Sequence, residues 1–355
     1  MAIDGKILVT GAGGFIGGWI AECLYMGDPG RVRAGVHRWS GAVRPARFPM
    51  ELVLCDILDP VQAACAVHGV SNIIHCAKGA SRESIILGTR NLLEASLREG
   101  VKRFVFLSTT EVYGNSQGKI DETFPCRKTG NRYGDAKIDA EQACREFATK
   151  GLPVTIVRPP IVYGPFSKTW TAGIAQRLLS GNWGIFKGQG DGICNLIYIT
   201  DLVDGILALL NSTDVHEDVF ILNGSEAPTW NQYFQRFNAA LSLPELRVIE
   251  PGRANLRAHL GEPARSLARF AKGRFEKQIK NAAAHFPLAK QFLKQLERTL
   301  KTTPRLSDFD LFSRTALYSA QKAEALAGFK PRIDVETGLQ MSAAWLRQVG
   351  LVESG

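Results

Sequence analysis

The sequence predicts an α/β fold, a doubly wound parallel sheet with a smaller, interleaved C-terminal lobe. Three observations predict it. Over the first 160 residues short apolar runs alternate with longer amphipathic stretches, the rhythm of right-handed βαβ units. The runs read as mostly continuous apolar stretches rather than alternating ones, as in strands covered by helices on both faces. A glycine-rich loop, VTGAGGFIGGWI, joins the first run to the first amphipathic stretch.

The candidate strands are Lys6–Thr10, Val32–Val36, Leu52–Cys55, Asn72–Cys76, Phe104–Ser108 and Val154–Val157. The notable candidate helices between them are Phe15–Met26, Ser84–Glu99 and Arg132–Lys150. After Pro159 the rhythm changes. PPIVYGPFSKTW reads as loop, Asn195–Ile199 and Val219–Leu222 as strands, and Asp201–Leu210 as a helix between them. The sheet domain is therefore expected at 1–163 and 195–224. The second lobe is expected at 164–194 and 225–355, with a basic helical insertion at about 253–311. No internal repeat or low-complexity tract interrupts this organisation.

Composition narrows the classes. With 355 residues, 45% apolar and 22% charged, the chain has the balance of a soluble globular protein with a large core. No run of 18 apolar residues predicts a membrane span. The stretch KILVTGAGGFIG lacks a small-residue cleavage site, so no secretory signal is expected. Seven cysteines, at 23, 55, 65, 76, 126, 144 and 194, form an odd, scattered set without CxxC. They predict free thiols in a reducing compartment, the cytoplasm. The six histidines show no HExxH or comparable spacing, so no protein-held metal is expected.

Gly11, Gly14 and Gly17 form GxxGxxG between a strand and a helix, a variant of the dinucleotide fingerprint of Rossmann-type domains. Gly11 allows the tight turn, Gly14 lets the backbone approach a pyrophosphate, and Gly17 lets the helix pack close. The N–H groups at the helix start, around Phe15 and Ile16, favour phosphate. A glycine-rich turn without ligand is the alternative. The second strand ends AGVHRWS, placing His37 and Arg38 where an NAD site carries an acid for the ribose hydroxyls. A cation there suits a 2′-phosphate, so the expected cofactor is NADP or NAD, with NADP favoured. The competing role for Arg38 is an ordinary surface residue. Asp56, with Ile57 in LCDILD, can accept a hydrogen bond from an adenine amino group, unless Asp56 or Asp59 serves as a helix N-cap.

The stretch LSTTEVYGNSQGKIDETFPCRKTGNRYGDAK carries the chemistry. Tyr133 and Lys137 are at i, i+4 and share a helix face. A phenol of ordinary pKa ~10 needs a shift of ~3 units to work near neutrality. An ammonium and a positive nicotinamide ring both push it that way. Thr109, at the end of the fifth strand, stands where ligands bind in open α/β sheets. Glu111 lies two residues further on.

Taken together, these pieces resemble the extended short-chain dehydrogenase/reductase family, the NAD(P)-dependent nucleotide-sugar epimerases and dehydratases. The matching stretches include TGAGGFIG, CDILD, HCAKGA, GTRNLLEA, LSTTEVYG, RYGDAK, VRPPIVYGP and LIYITDLVDGILALL. They continue through FILNGSEAPTWNQYF and LAGFKPRIDVETGL, leaving about 60 residues, 253–311, without a counterpart. The resemblance implies that Tyr133 is the acid/base, Lys137 its partner and Thr109 the third member. It implies that Asn91 supports the site and that Ala77 and Pro160 lie by the cofactor. It directs Lys78 and Asn195 toward substrate, with Arg305 and Arg314 as candidates for a substrate pyrophosphate. It also implies a homodimer through two helices of the first lobe. A Glu following the active-site hydroxyl, as Glu111 does in TTE, is similar to dehydratases and decarboxylases, where it can serve as an extra base, and equally to many epimerases and reductases, where it is only a strand-end residue. Three features depart from the pattern: Thr110 in place of an Asp, Arg132 in place of a Pro, and a short stretch from His75 to Asn91. They bear on the substrate more than on the catalytic set.

The net charge of +9 is uneven: residues 253–305 hold 13 Lys/Arg against three acids. Within them Leu288, Phe292, Leu293, Leu296 and Leu300 form one helical stripe, and Lys290, Lys294, Arg298 and Lys301 another, beginning near Pro287. Three roles fit: a lid on the substrate lobe, a wall for substrate phosphates, or peripheral contact with an anionic membrane. No aromatic interleaving points to nucleic acid. The expected function is hydride transfer at a nucleotide-linked sugar, ending in epimerisation, dehydration or 4-keto reduction. The alternatives are a hydroxysteroid- or isoprenoid-alcohol dehydrogenase of the same superfamily and a non-enzymatic NADP-sensing protein.

Overall fold

The computed structural model describes residues 4–212, 218–256 and 302–352, with isolated positions at 258, 259, 261, 263, 274, 299 and 300. It divides into two compact units. The first comprises Met1–Ser167, Asn195–Glu226 and Ala316–Val335, and the second Lys168–Cys194, Ala227–Thr315 and Glu336–Gly355.

The first unit is built on a seven-stranded sheet. Its strands are β1 (Ile7–Thr10), β2 (Val32–Val36), β3 (Glu51–Leu54), β4 (Asn72–His75), β5 (Arg103–Leu107), β7 (Val154–Arg158) and β11 (Val219–Ile221). They run parallel in the order β11-β7-β5-β4-β1-β2-β3. The order reverses between β1 and β4, so a crevice opens beyond the C-terminal ends of those strands.

The helices are α1 (Phe15–Gly27), α2 (Pro60–Val67), α3 (Arg82–Glu99), α4 (Arg132–Ala148) and α6 (Ile199–Asn211). Leu8, Ile73, Phe104, Phe106 and Ile156 join Leu92, Leu93, Ala136, Ala140 and Phe147 in one buried cluster under α2, α3 and α4. Ile7 and Val9 face away from that cluster and are equally buried, so both faces of the sheet are covered. α2, α3 and α4 begin at side-chain caps, Asp59, Ser81 and Asn131 respectively. That settles the capping role on Asp59 rather than Asp56.

Two expectations are corrected. PPIVYGPFSKTW is not a loop: Ile161–Tyr163 forms β8, paired in parallel with β10 (Leu196–Tyr198), and Lys168–Ala172 is helical. The pairing partner lies over 30 residues downstream, which a local reading of Pro and Gly cannot register. The segment 316–335, assigned to the second lobe, belongs to the first unit, and the second unit starts at Lys168 rather than 164. The physical reason is β13 (Ala316–Tyr318), which pairs with β6 (Gly118–Ile120), while Phe329 packs so tightly on α6 that Gly205 has no room for a Cβ.

The second unit, which holds α5 (Gly173–Leu179), β9 (Ile185–Phe186) and β12 (Val248–Ile249), has an aromatic core. Trp183, Phe186, Trp230, Phe234 and Phe312 meet mostly edge to face, with Trp230 and Phe312 closest at 4.5 Å between centroids. Of the apolar and basic stripes expected around Leu288–Lys301, every member but Leu300 lies outside the described residues. No described helix is long and apolar enough to cross a membrane.

Candidate active site

The glycine loop follows β1 directly. Gly11 has a φ of +70°, and a Cβ there would meet the Ala77 backbone at 2.9 Å, so the loops after β1 and β4 touch only because Gly11 has no side chain. A Cβ at Gly17 would strike the Gly11 carbonyl oxygen at 2.4 Å, which presses α1 against the loop. α1 starts at Gly14 with no side-chain cap and no acid in its first turn. Its first N–H groups, around Phe15 and Ile16, are left to an anion. These residues fit a dinucleotide pyrophosphate.

Beyond β2 the Arg38 guanidinium is exposed, and its Nε donates to His37 Nδ1 at 3.3 Å. His37 Nε2 in turn lies 3.3 Å from Asp56 Oδ2. Asp56 Oδ1 accepts from the Leu58 N–H at 3.0 Å. The Asn91 amide donates to the Ile57 carbonyl at 2.9 Å, which pins the LCDILD loop to α3.

At the end of β4 a directional chain of hydrogen bonds crosses the core. The Ala77 N–H donates to Thr10 Oγ1 at 3.2 Å, and Thr10 Oγ1 lies 2.7 Å from His75 Nδ1. His75 Nε2 lies 3.2 Å from Thr89 Oγ1, whose own hydroxyl donates to the Ile85 carbonyl at 2.7 Å. Because Thr89 has committed its proton, His75 must donate from Nε2, and the neutral imidazole that burial favours accepts at Nδ1 from Thr10. Burial, with the Lys137 ammonium adding to it, pushes its pKa down to about 3. The chain fixes the Ala77 backbone beside the glycine loop.

Thr109 follows β5, and its Oγ1 accepts from the Glu111 N–H at 3.3 Å, a bond that does not use the hydroxyl proton. Glu111 sits in the turn Thr110–Tyr113, and its carboxylate accepts from Asn131 Nδ2 at 3.0 Å. Asn131 Oδ1 caps α4 by accepting from the N–H groups of Tyr133 and Gly134. A Cβ at Gly134 would lie 2.8 Å from the Glu111 carbonyl oxygen, so the helix and the turn approach only with glycine there. Tyr133 is half-buried, and the Lys78 ammonium lies over its ring, 4.4 Å from the centroid.

Burial, reinforced by the Glu111 charge, pushes the Tyr133 phenol up to about 12. Lys137 Nζ donates to the Leu107 carbonyl at 2.6 Å and lies over the Phe106 ring at 4.4 Å. Burial lowers its pKa from 10.5 to about 8, so it still carries charge at pH 7. The unfolded lysine keeps its proton to pH ~10 while the folded one loses it near 8, so wild-type stability rises across that window. Lys137→Met is expected to lower turnover yet to be more stable at pH 7 by up to ~3 kcal/mol. Denaturant melts should show that gap closing between about pH 8 and 10.5; a gap independent of pH refutes the claim.

The other expected residues stand as follows. Pro160 follows β7, next to Pro159, whose carbonyl accepts from the Thr110 N–H at 3.0 Å. Asn195 is buried, and its amide is taken up by the backbone of β13. It donates to Ala316 O at 2.8 Å and accepts from the Tyr318 N–H at 3.1 Å. Arg305 and Arg314 lie in the second unit, Arg305 preceding the helix Leu306–Phe312. No metal-like cluster of His, Cys, Asp and Glu exists among the described residues.

Sequence reasoning missed the buried pair Glu141–Arg158. Glu141 Oε1 accepts from Ser108 Oγ at 2.6 Å and from Arg158 Nε at 2.9 Å. One signal was present: Glu141 continues the i, i+4 spacing from Tyr133 and Lys137.

A parallel sheet whose switch point meets a glycine loop, with Tyr133 and Lys137 one turn apart at the same strand ends, defines an extended short-chain dehydrogenase/reductase. Within that class the chain belongs to the NAD dependent epimerase/dehydratase family, whose model matches residues 7–222. It is 30% identical over 250 residues to an uncharacterised UDP-glucose epimerase of Bacillus subtilis, covering 62% of this chain and 77% of that protein. It is 28% identical over 299 residues to a 3 beta-hydroxysteroid dehydrogenase/Delta 5→4-isomerase of Mycobacterium tuberculosis, covering 75% and 80%. Its fold matches the crystal structure of a UDP-glucose 4-epimerase from Thermotoga maritima with a TM-score of 0.72 at 22% identity, over 97% of this chain and 99% of that one.

Proposed function

We propose that this protein is an NAD(P)-dependent enzyme that transfers a hydride at a secondary alcohol or ketone of a nucleotide-linked sugar. The observation that carries the reading is the convergence at the ends of β4 and β5. Lys137 reaches the Leu107 carbonyl, and Tyr133 lies under Lys78 in the loop after Ala77. When bound, the nicotinamide supplies the hydride acceptor and donor. Thr109 holds the reacting oxygen, Tyr133 moves its proton and Lys137 supplies a positive charge one helical turn from Tyr133. Glu111, half-buried beside Tyr133, is the candidate second base for an outcome that removes the proton alpha to a transient ketone.

Mass spectrometry and absorbance on the denatured protein test the first part. Retained NAD or NADP supports an epimerase or dehydratase that recycles its hydride. An empty protein that binds NADPH supports a 4-keto reductase. A panel of UDP-, dTDP- and GDP-sugars then tests substrate, and turnover by none of them overturns the reading. NADP is the favoured cofactor because Arg38 presents an exposed guanidinium beyond β2. Arg38→Ser is expected to weaken NADPH relative to NADH by about 10–100-fold, the loss of one charge-assisted hydrogen bond. An unchanged ratio in fluorescence titrations removes the argument for NADP.

The similarity to a hydroxysteroid dehydrogenase over 299 residues favours a second reading, oxidation of an apolar secondary alcohol at the same Tyr133. Flotation with anionic liposomes, lost on deleting 253–305, supports it. Thermal stabilisation by UDP, GDP or dTDP counts against it.

A further inference from the structure

Glu141 has no part in the chemistry above, yet it is fully buried on the helix that carries Tyr133 and Lys137. Its carboxylate accepts four hydrogen bonds. Besides those from Ser108 and Arg158 Nε, Oε2 accepts from Arg158 Nη2 at 2.5 Å and from Arg145 Nη2 at 3.1 Å. Arg158 is 1% exposed at the end of β7. Its Nη1 donates to the Tyr113 hydroxyl at 2.7 Å, and its Nη2 lies 3.2 Å from Cys126 Sγ. Tyr113 closes the turn that carries Glu111, and Ser108 lies between Leu107, which receives Lys137, and Thr109.

One planar guanidinium and one carboxylate therefore touch all three segments that carry proposed reacting groups: the end of β5, the turn Thr110–Tyr113 and α4. A bidentate arginine–carboxylate pair is directional in a way that apolar packing is not. We propose that Glu141 and Arg158 are positioning residues, holding Thr109, Glu111, Tyr133 and Lys137 in one mutual geometry. The inference rests on the reading of Tyr133 as the acid/base.

Two variants test it. Arg158→Lys keeps the charge but loses the fork and the bond to Tyr113. Tyr113→Phe removes a single hydroxyl. Hydrogen exchange on the full chain is expected to quicken in both variants at 107–113 and 131–141 together, with β1 and β2 unchanged. On the sugar probe that turns over best, kcat is expected to fall about tenfold in Tyr113→Phe and up to ~100-fold in Arg158→Lys, with KM moving less than about threefold. If Arg158→Lys does not fold, Tyr113→Phe decides. Wild-type kcat in a folded variant, or exchange that quickens only around 156–160, overturns the proposal. If no probe sugar turns over, or Tyr133→Phe stays active, the functional reading fails instead, and the exchange arm still decides whether the three segments are coupled.

Discussion

Tyr133→Phe is expected to lower turnover by about 10²–10⁴-fold while leaving dinucleotide affinity within a few-fold. The substitution removes only the hydroxyl. The ring beneath Lys78 and the cap from Asn131 to the Tyr133 N–H remain, so the helix start is undisturbed. The pH dependence carries a sign of its own. Burial and Glu111 hold the phenol at about 12 in the protein alone, so oxidation of an alcohol, which needs the phenolate, speeds up as pH rises. Glu111→Gln removes the negative charge facing the phenol, lowers its pKa and moves that limb to lower pH. A limb that stays in place, with Tyr133→Phe inactive, keeps Tyr133 as the proton carrier but removes Glu111 from its electrostatics.

Glu141→Gln is expected to destabilise the first unit by about 3–5 kcal/mol, the loss typical of breaking a buried ion pair from one side. An arginine guanidinium keeps its charge even when buried, so the variant leaves a buried cation facing a neutral amide. Arg145 is half-exposed and relaxes into water, whereas Arg158 has no such exit. Replacing both members, Glu141→Leu with Arg158→Leu, is expected to regain most of the lost stability, because no unpaired charge remains. It is not expected to regain turnover, since an apolar pair does not orient Tyr113 and Ser108. Urea melts with kinetics on the same preparations separate the two outcomes. A stable, fully active double variant would mean the pair serves stability alone.

The strands of the main sheet were legible because each carries a mostly apolar run without strict alternation, and the seven positions predicted for them overlap observed strands. The strands β6, β8 and β13 were not, because each is only three residues long and gains its structure from a partner far along the chain. Arg38 and His37 were legible as a position, but the link from His37 to Asp56 was not, since it joins the ends of two different strands.

What the sequence determined by itself was local: the glycine loop after β1, the helix face shared by Tyr133 and Lys137, and the alternation that makes a parallel sheet. These depend on backbone periods and on glycine's missing side chain, which operate over a few residues. Tertiary structure alone decided that segment 316–335 returns to the first unit, that Asn195 serves the backbone of β13, and that Glu141 meets Arg158. Those pairings depend on strand order, which sets β7 beside β5 and brings residues 17 positions apart into one buried ion pair.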